Sequence, residues 1–517
     1  MPFNGTAVTR HFVEVAGRLV HLRRVGRGSP VVLLHPSPMS SRVMLPAALA
    51  LAERHDCFLL DTPGYGLSEP LGPRIRDLRP YVAWLADTLD RLGLHRPAIY
   101  GQATGAQIGI AFAKQFPARV AALVLDAAAL FSPSEIEAWL PRYLPPLRPK
   151  PDGSHLASVW TAARDMSVFF PWMERTTAAR LSRAVPPAAS VHEMVLDYLR
   201  AGDGYRTAYA AAFRHEVPGA LDGLRVPTSV IAWSQSSIAH YTARLVAAPG
   251  SAQVVRVDGD VHAKHRAVLA LLDRARIDDE PQRPSAPQPS HRRLLPTRAG
   301  FLQVRIHGHD TDRAVLRLHP LFASTRVTGA AGHGRAHGAL VVEPDLPGHG
   351  DSDGVLASHD DAAAGLEDVL DVLDLRNVTV TADWSTRRTA QALAARSGRR
   401  VVELKVAPRP DWNEDELAAL QASPLPDLTP RDDGTHLLAA WHYIRDRELF
   451  SAWCRRGPPG IRKDGDLSTP SLHRRTVELL KVRGEREAAL RAALDDRAGD
   501  LGRDRAKPSP GARRQEC

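Results

Sequence analysis

AIYGQATGAQIG, residues 98–109, reads as a strand, a sharp turn and a helix in immediate succession. Ala98, Ile99 and Tyr100 form a short apolar run, Gly101 and Gly105 bracket the turn, and Ala106 to Gly109 open a helix. In turns of the form G-x-S-x-G a serine stands exposed at the apex, and the flanking glycines let strand and helix pack closely. Here the apex is Ala103, a methyl group with no lone pair. The frame is kept and the attacking atom is absent.

Outward from this turn the pattern is regular. HFVEVAG and RLVHLRRVG form a hairpin-like start, PVVLLH and DCFLLDTP follow around a helix, and a helix over 80–93 leads to PAIYG. The turn helix (103–115) and AALVLDA come next, then a helical insertion over about 132–222. VPTSVIAWSQ (226–235), AQVVRVDGDVH (252–262) and a closing helix, 263–274, complete the unit. Continuous apolar strands between amphipathic helices predict a mostly parallel sheet covered on both faces.

The chain then repeats itself. LLHPSPMSSRV (33–43) matches RLHPLFASTRV (317–327), DTPGYGLS (61–68) matches DLPGHGDS (345–352), and DGSHLASVWTAARDMSVFFPW (152–172) matches DGTHLLAAWHYIRDRELFSAW (433–453). Matches in one order at nearly constant offset predict a tandem duplication. The expected division is a first unit over 1–275, a Pro-rich linker over 276–292, a second unit over 293–497 and a basic, disordered tail over 498–517. The second unit lacks the last two strands, so its sheet edge is expected to need a cover, from the first unit or from another copy of the chain.

With 517 residues, 44% hydrophobic and 24% charged, the chain has the composition of a soluble multidomain protein. The net charge of +9 is scattered and carries no aromatic-interleaved basic stripe, so nucleic acid is not an expected partner. Three cysteines without ligand spacing predict neither a disulfide framework nor a metal site, and favour a reducing, cytoplasmic setting. No stretch is long enough to span a bilayer, and neither a membrane nor a cofactor is expected.

His35 after the third strand, Asp61-x-Pro63-Gly64-x-Gly66-x-Ser68 after the fourth, and the turn at Ala103 together resemble the α/β-hydrolase superfamily. The resemblance spans 11–275 and, in decayed form, 295–497. It implies an α/β-hydrolase fold with a helical cap and a second, truncated and degenerate copy. Family triads follow the chain order serine, acid, histidine. The serine position falls on Ala103, and the usual acid position near Ser236 and Ser237 carries no carboxylate. The histidine position falls on His262, and Asp126 stands where some members place the acid, or simply caps its strand. The oxyanion positions fall on Ser37 and Thr104, whose backbone N–H groups survive any side-chain change. His262 is then either a general base or a relic.

The resemblance thus implies an enzyme acting on a small organic carbonyl or ester-like compound without a serine nucleophile, by activated water or by a non-hydrolytic step on His262. The competing class is a catalytically dead protein that binds a ligand or serves as a scaffold. The pattern D-G-[ST]-H-L-x-x-x-W-x-x-x-R-D, read in both units, supplies His155, Trp160 and Arg164. These residues either roof the pocket, with His35 beside it, or hold caps together. In the second unit Trp384 takes the apex, where an indole is expected to fill the pocket.

Overall fold

The computed structural model describes residues 7–72, 74–247, 252–277, 291–328 and 338–495. Most of the expected linker and all of the expected tail lie outside these residues. The first half contains β1 (Thr9–Val15), β2 (Arg18–Gly26), β3 (Ser29–Leu34), α1 (Leu45–Leu51), β4 (His55–Leu60), α2 (Arg79–Leu92), β5 (Ala98–Gln102), α3 (Thr104–Gln115) and β6 (Leu123–Asp126). A helical insertion follows: α4 (Pro133–Tyr143), α5 (Ser154–Asp165), α6 (Ala188–Ala201) and α7 (Tyr205–His215). Then come β7 (Thr228–Trp233), α8 (Ala239–Ala247), β8 (Gln253–Val257) and α9 (Val261–Arg274).

These strands form one sheet in the order β1-β2-β4-β3-β5-β6-β7-β8. The β1–β2 and β2–β4 pairs are antiparallel, and every pair from β4–β3 onward is parallel. Val31 to Leu34 and His55 to Leu60 are buried along their whole length, as central strands covered on both faces must be.

The second half comprises β9 (Arg292–Thr297), β10 (Gly300–His307), β11 (Asp310–Leu318), α10 (Thr325–Thr328), β12 (Ala339–Pro344), α11 (His359–Val372), β13 (Val378–Ala382), α12 (Arg387–Ser397) and β14 (Val401–Val406). Helices α13 (Glu414–Ala422), α14 (Thr435–Leu449), α15 (Thr469–Lys481) and α16 (Arg486–Leu494) follow. Its first strand, β9, begins at Arg292. Its sheet runs β9-β10-β12-β11-β13-β14, antiparallel at β9–β10 and β10–β12 and parallel elsewhere. Strand β14 ends that sheet with β13 as its neighbour, and Val402 on it is 61% exposed.

The two helical insertions face each other reciprocally. Gly153, ahead of α5, lies so close to Trp441 of α14 that a Cβ would stand 2.7 Å from the indole. Gly434, ahead of α14, lies equally close to Trp160 of α5, at 2.4 Å. Both glycines have positive φ, +77° and +74°, so each turn needs glycine for its backbone and for its neighbour's ring. The histidines repeat the exchange. His155 Nε2 lies 3.0 Å from His473 Nδ1, and His436 Nε2 lies 3.0 Å from His192 Nδ1. Trp160 also donates its indole N–H to the Asp432 carbonyl across the boundary, at 3.2 Å.

Candidate functional site

The turn between β5 and α3 is built by close approach. A Cβ on Gly105 would stand 2.1 Å from the Leu34 carbonyl oxygen, and one on Gly101 would stand 2.5 Å from the Gly105 carbonyl oxygen. Ala103 between them has φ +47° and ψ −111°, a conformation that non-glycine residues rarely adopt. Its N–H donates to the Asp126 carbonyl at 3.0 Å, and its carbonyl accepts from Gln107 at 3.1 Å. Thr104 is the first residue of α3, where backbone N–H groups have no partner within the helix and the dipole favours negative charge.

A cavity of about 260 Å³ opens over this turn. Ser37, Ala103, Thr104 and Asp126 form its floor, and Ser236 and Ser237 border it. The cap supplies an aromatic wall of Phe131, Tyr143, Phe170, Tyr209 and Phe213. Within that wall Phe131 and Phe213 stack at 5.1 Å. The Thr104 hydroxyl is buried without a hydrogen-bond partner. Ser37 is buried, and its hydroxyl donates to the Tyr65 oxygen at 2.9 Å.

Two carboxyl groups line the cavity, and their settings differ. Asp126 Oδ2 accepts from Lys264 Nζ at 2.7 Å and from the Tyr100 hydroxyl at 2.8 Å, while its Oδ1 is buried without a partner. Burial pushes the Glu216 carboxyl well above the usual carboxylate range, and Gln107 Nε2 at 3.4 Å is its recorded side-chain donor. Burial therefore favours the protonated form of Glu216, the form that can donate a proton. Neither Glu216 nor Lys264 stands out in the sequence.

His262 stands elsewhere. The Asp260 side chain caps α9 by accepting the Ala263 N–H at 2.9 Å, so the helix begins at Val261 and places His262 in its first turn, exposed to solvent. It is not among the cavity-lining residues. The imidazole at 262 thus lies outside this cavity, and the inward face of α9 carries Lys264 and His265.

His35 is also not a cavity residue. Its Nε2 accepts the Thr62 N–H at 2.9 Å and its Nδ1 lies 3.0 Å from the Pro36 carbonyl, an arrangement that fixes one loop to another. His155 and Trp160 face the second half, and Arg164 is 42% exposed beside Asp165, so none of the three roofs this cavity. In the second half Trp384 does not fill its pocket. It sits in a 3₁₀ turn capped by Asp383, and a cavity of about 340 Å³ remains, lined by Trp384, Trp412, Tyr443 and Trp453. The indole lies along a wall, which corrects that expectation too.

Residues 29–252 match the family model described as alpha/beta hydrolase fold. The first half of the chain has the α/β-hydrolase fold. Among curated relatives of this hydrolase-fold half is the polyketide synthase ThaQ of Burkholderia thailandensis, 28% identical over 52% of this chain and 13% of its own. Another is the cis-3-alkyl-4-alkyloxetan-2-one decarboxylase of Shewanella oneidensis, 30% identical over 22% of this chain and 37% of its own. A third is the 2-hydroxy-6-oxo-2,4-heptadienoate hydrolase of Pseudomonas putida, 32% identical over 24% and 45%. The chain thus spans less than half the length of each. A solved epoxide hydrolase A from Mycobacterium thermoresistibile is 18% identical over 52% of this chain and all of its own, with a TM-score of 0.42. No helix among the described residues is long and apolar enough to cross a membrane.

Proposed function

We propose that the hydrolase-fold half is an enzyme that binds a small, largely apolar carbonyl or ester-like compound and acts on it without an acyl-enzyme. The carrying observation is the strained turn at Ala103, still held at φ +47° below an open cavity. Strain of this kind costs about 1–3 kcal/mol and persists where the surroundings impose it. The Thr104 and Ser37 N–H groups would receive the carbonyl oxygen, Glu216 would supply a proton, and Asp126 would act as the base in place of His262. The acid and base assignment rests on two carboxyl groups in unlike environments. Carbonyl chemistry fits the relatives, one named for an oxetan-2-one and one for an oxo-dienoate.

A second reading, binding without turnover, is favoured by one observation: His262 is exposed and lines no part of the cavity. The test is a panel of β-lactones, oxo-dienoates and nitrophenyl esters, assayed for turnover and for ligand-induced stabilisation. Turnover that falls at least 100-fold in Glu216→Gln and in Asp126→Asn, and is unchanged in His262→Ala, supports the enzyme. Stabilisation without turnover supports the binding protein. Loss of activity in His262→Ala overturns the assignment of base.

We infer further that the second half is a truncated duplicate of the first and serves assembly, not chemistry. Its strand order corresponds, strand for strand, to β1 through β6, and the caps exchange the same residue types across their boundary. The chain is expected to act in the cytoplasm, on a small molecule, with no cofactor or metal. Exposed β14 is the place where a second copy would pair.

A further inference from the structure

A second cavity, of about 290 Å³, lies where the two halves meet, and its chemistry is unlike that of the first. Six cationic side chains line it: Arg10, Arg23, Arg42 and Arg200 from the first half, Lys481 and Arg483 from the second. Three carboxylates accompany them, and protein donors already occupy each. Asp61 accepts the N–H groups of Ser41 at 2.7 Å and Leu67 at 2.9 Å, with His21 Nδ1 at 2.7 Å. Asp351 accepts from Lys481 at 3.1 Å and Arg292 at 3.0 Å. Asp353 accepts from Arg10 at 2.6 Å and from the Phe301 N–H at 3.1 Å.

The guanidinium groups are left with donors to spare. Arg23 donates to the Ser41 hydroxyl at 2.7 Å, and among the described residues no carboxylate stands within ion-pair distance of it. Among the described residues the carboxylate that Arg483 reaches is Glu193, at 3.8 Å. Arg42 pairs with Glu193 at 3.1 Å and shares Asp197 with Arg200, at 3.3 and 3.5 Å, and the Nε of each arginine is buried without a partner. Burial, then Arg10 beside it, lowers the Arg23 guanidinium to about 10, as expected where counter-charge is short. Burial lowers Arg483 in the same direction.

We propose that this cavity binds a phosphoryl group, as pyrophosphate or as the head of a small phosphorylated molecule, and clamps the two halves together when it does. Guanidinium forks arriving from several directions match a tetrahedral oxyanion, and each N–H···O⁻ contact is of the strong, charge-assisted kind. The ligand contacts both halves at once, so binding is coupled to their docking. The site stands independently of the catalytic reading above.

The test uses the full chain in chloride buffer at fixed ionic strength, with pyrophosphate, orthophosphate or glycerol phosphate added. A saturable rise in Tm with pyrophosphate is expected, together with a Kd at least tenfold weaker in Arg23→Gln by calorimetric titration. Without ligand, the Tm of Arg23→Gln should equal or exceed that of the parent, because removing a cation that faces Arg10 and has no ion-pair partner among the described residues relieves repulsion. Arg483→Gln, from the other half, should weaken binding similarly and guards against a folding defect in the first variant. Equal affinity for orthophosphate assigns the free ion as ligand, and preference for the ester assigns a phosphorylated metabolite. Absence of any saturable rise overturns the proposal. So does a Tm shift kept in both variants, or an Arg23→Gln protein that is less stable without ligand and binds as before; that last result marks a purely structural cluster.

Discussion

Asp61 and Asp345 sit in matching cages, while Ala103 and Trp384 sit on quite different backbones. In the first half Asp61 accepts the N–H groups of Ser41 and Leu67 at 2.7 and 2.9 Å; in the second Asp345 accepts those of Thr325 and Asp351 at 2.8 and 2.9 Å. His35 and His319 each accept the N–H that follows the fourth strand, at 2.9 and 3.0 Å. These cages satisfy buried backbone groups, and losing one leaves a donor stranded at a cost of about 1–3 kcal/mol. The turn at the fifth strand is under no such constraint. In the second half the turn after the fifth strand carries no glycine and is a 3₁₀ turn capped by Asp383. The two halves thus share their loop-fixing bonds and differ in the backbone of this turn.

The largest test of this contrast lies between the halves. Trp441→Ala removes the ring that packs on Gly153 and His155, and should lower stability by about 3–5 kcal/mol in urea unfolding. Trp160→Ala should match it, since the packing is reciprocal. The polar atoms are not reciprocal: Trp160 donates to Asp432, whereas the Trp441 indole N–H is buried without a partner. Trp160→Phe should therefore cost about 1 kcal/mol more than Trp441→Phe. Equal costs would mean that the indole hydrogen bond contributes nothing.

Next comes Gly105→Ala. A methyl group there meets the Leu34 carbonyl at 2.1 Å, and the backbone must yield, at about 3 kcal/mol. The position two residues beyond the second apex already carries a side chain, Thr386, and Thr386→Ala should cost much less. A Gly105→Ala protein with unchanged Tm would show that strand and helix are not tightly apposed.

Stability should also fall with acid through the paired histidines. Burial holds His155, His436 and His473 at about 4, below the ordinary 6.5. The folded protein keeps them neutral while the unfolded chain binds protons, so stability is complete above about pH 6.5 and declines as pH falls toward 4. Each contributes up to ~1.4 kcal/mol per pH unit inside that window. The pair of substitutions His155→Gln and His473→Gln should flatten the urea midpoint against pH, and an unaltered slope would remove the pair from the account.

Much of this was legible before any coordinates. The alternation of strand and helix, the turn at Ala103 and the repeated D-G-[ST]-H pattern follow from spacing alone, because backbone geometry ties them to residue type. The position of His262 is not legible in the sequence, because the start of α9 is set by the Asp260 cap, which puts the imidazole in the exposed first turn. Lys264 reads as an ordinary surface cation until Asp126 is seen opposite it. Glu216 is 113 positions beyond Ala103, in the mixed stretch AAFRHEV, where nothing local marks it. The junction cavity joins β2 to the end of α15, and no local pattern announces it.

The smallest effect is the most direct measure of retained strain. Ala103 holds φ +47°, where glycine is at ease and alanine is not, so Ala103→Gly should stabilise the protein by about 1 kcal/mol. Trp384→Gly, at the corresponding turn, relieves nothing, since Trp384 does not have the positive φ of Ala103, and it strips an indole from Trp412 at 5.2 Å. It should destabilise. Opposite signs at the two apices, read by urea titration of both variants, mean that strain is confined to the half with the hydrolase-like cavity. Should Ala103→Gly destabilise as well, the turn is relaxed as it stands, and the open cavity above it must be explained by packing of the cap alone.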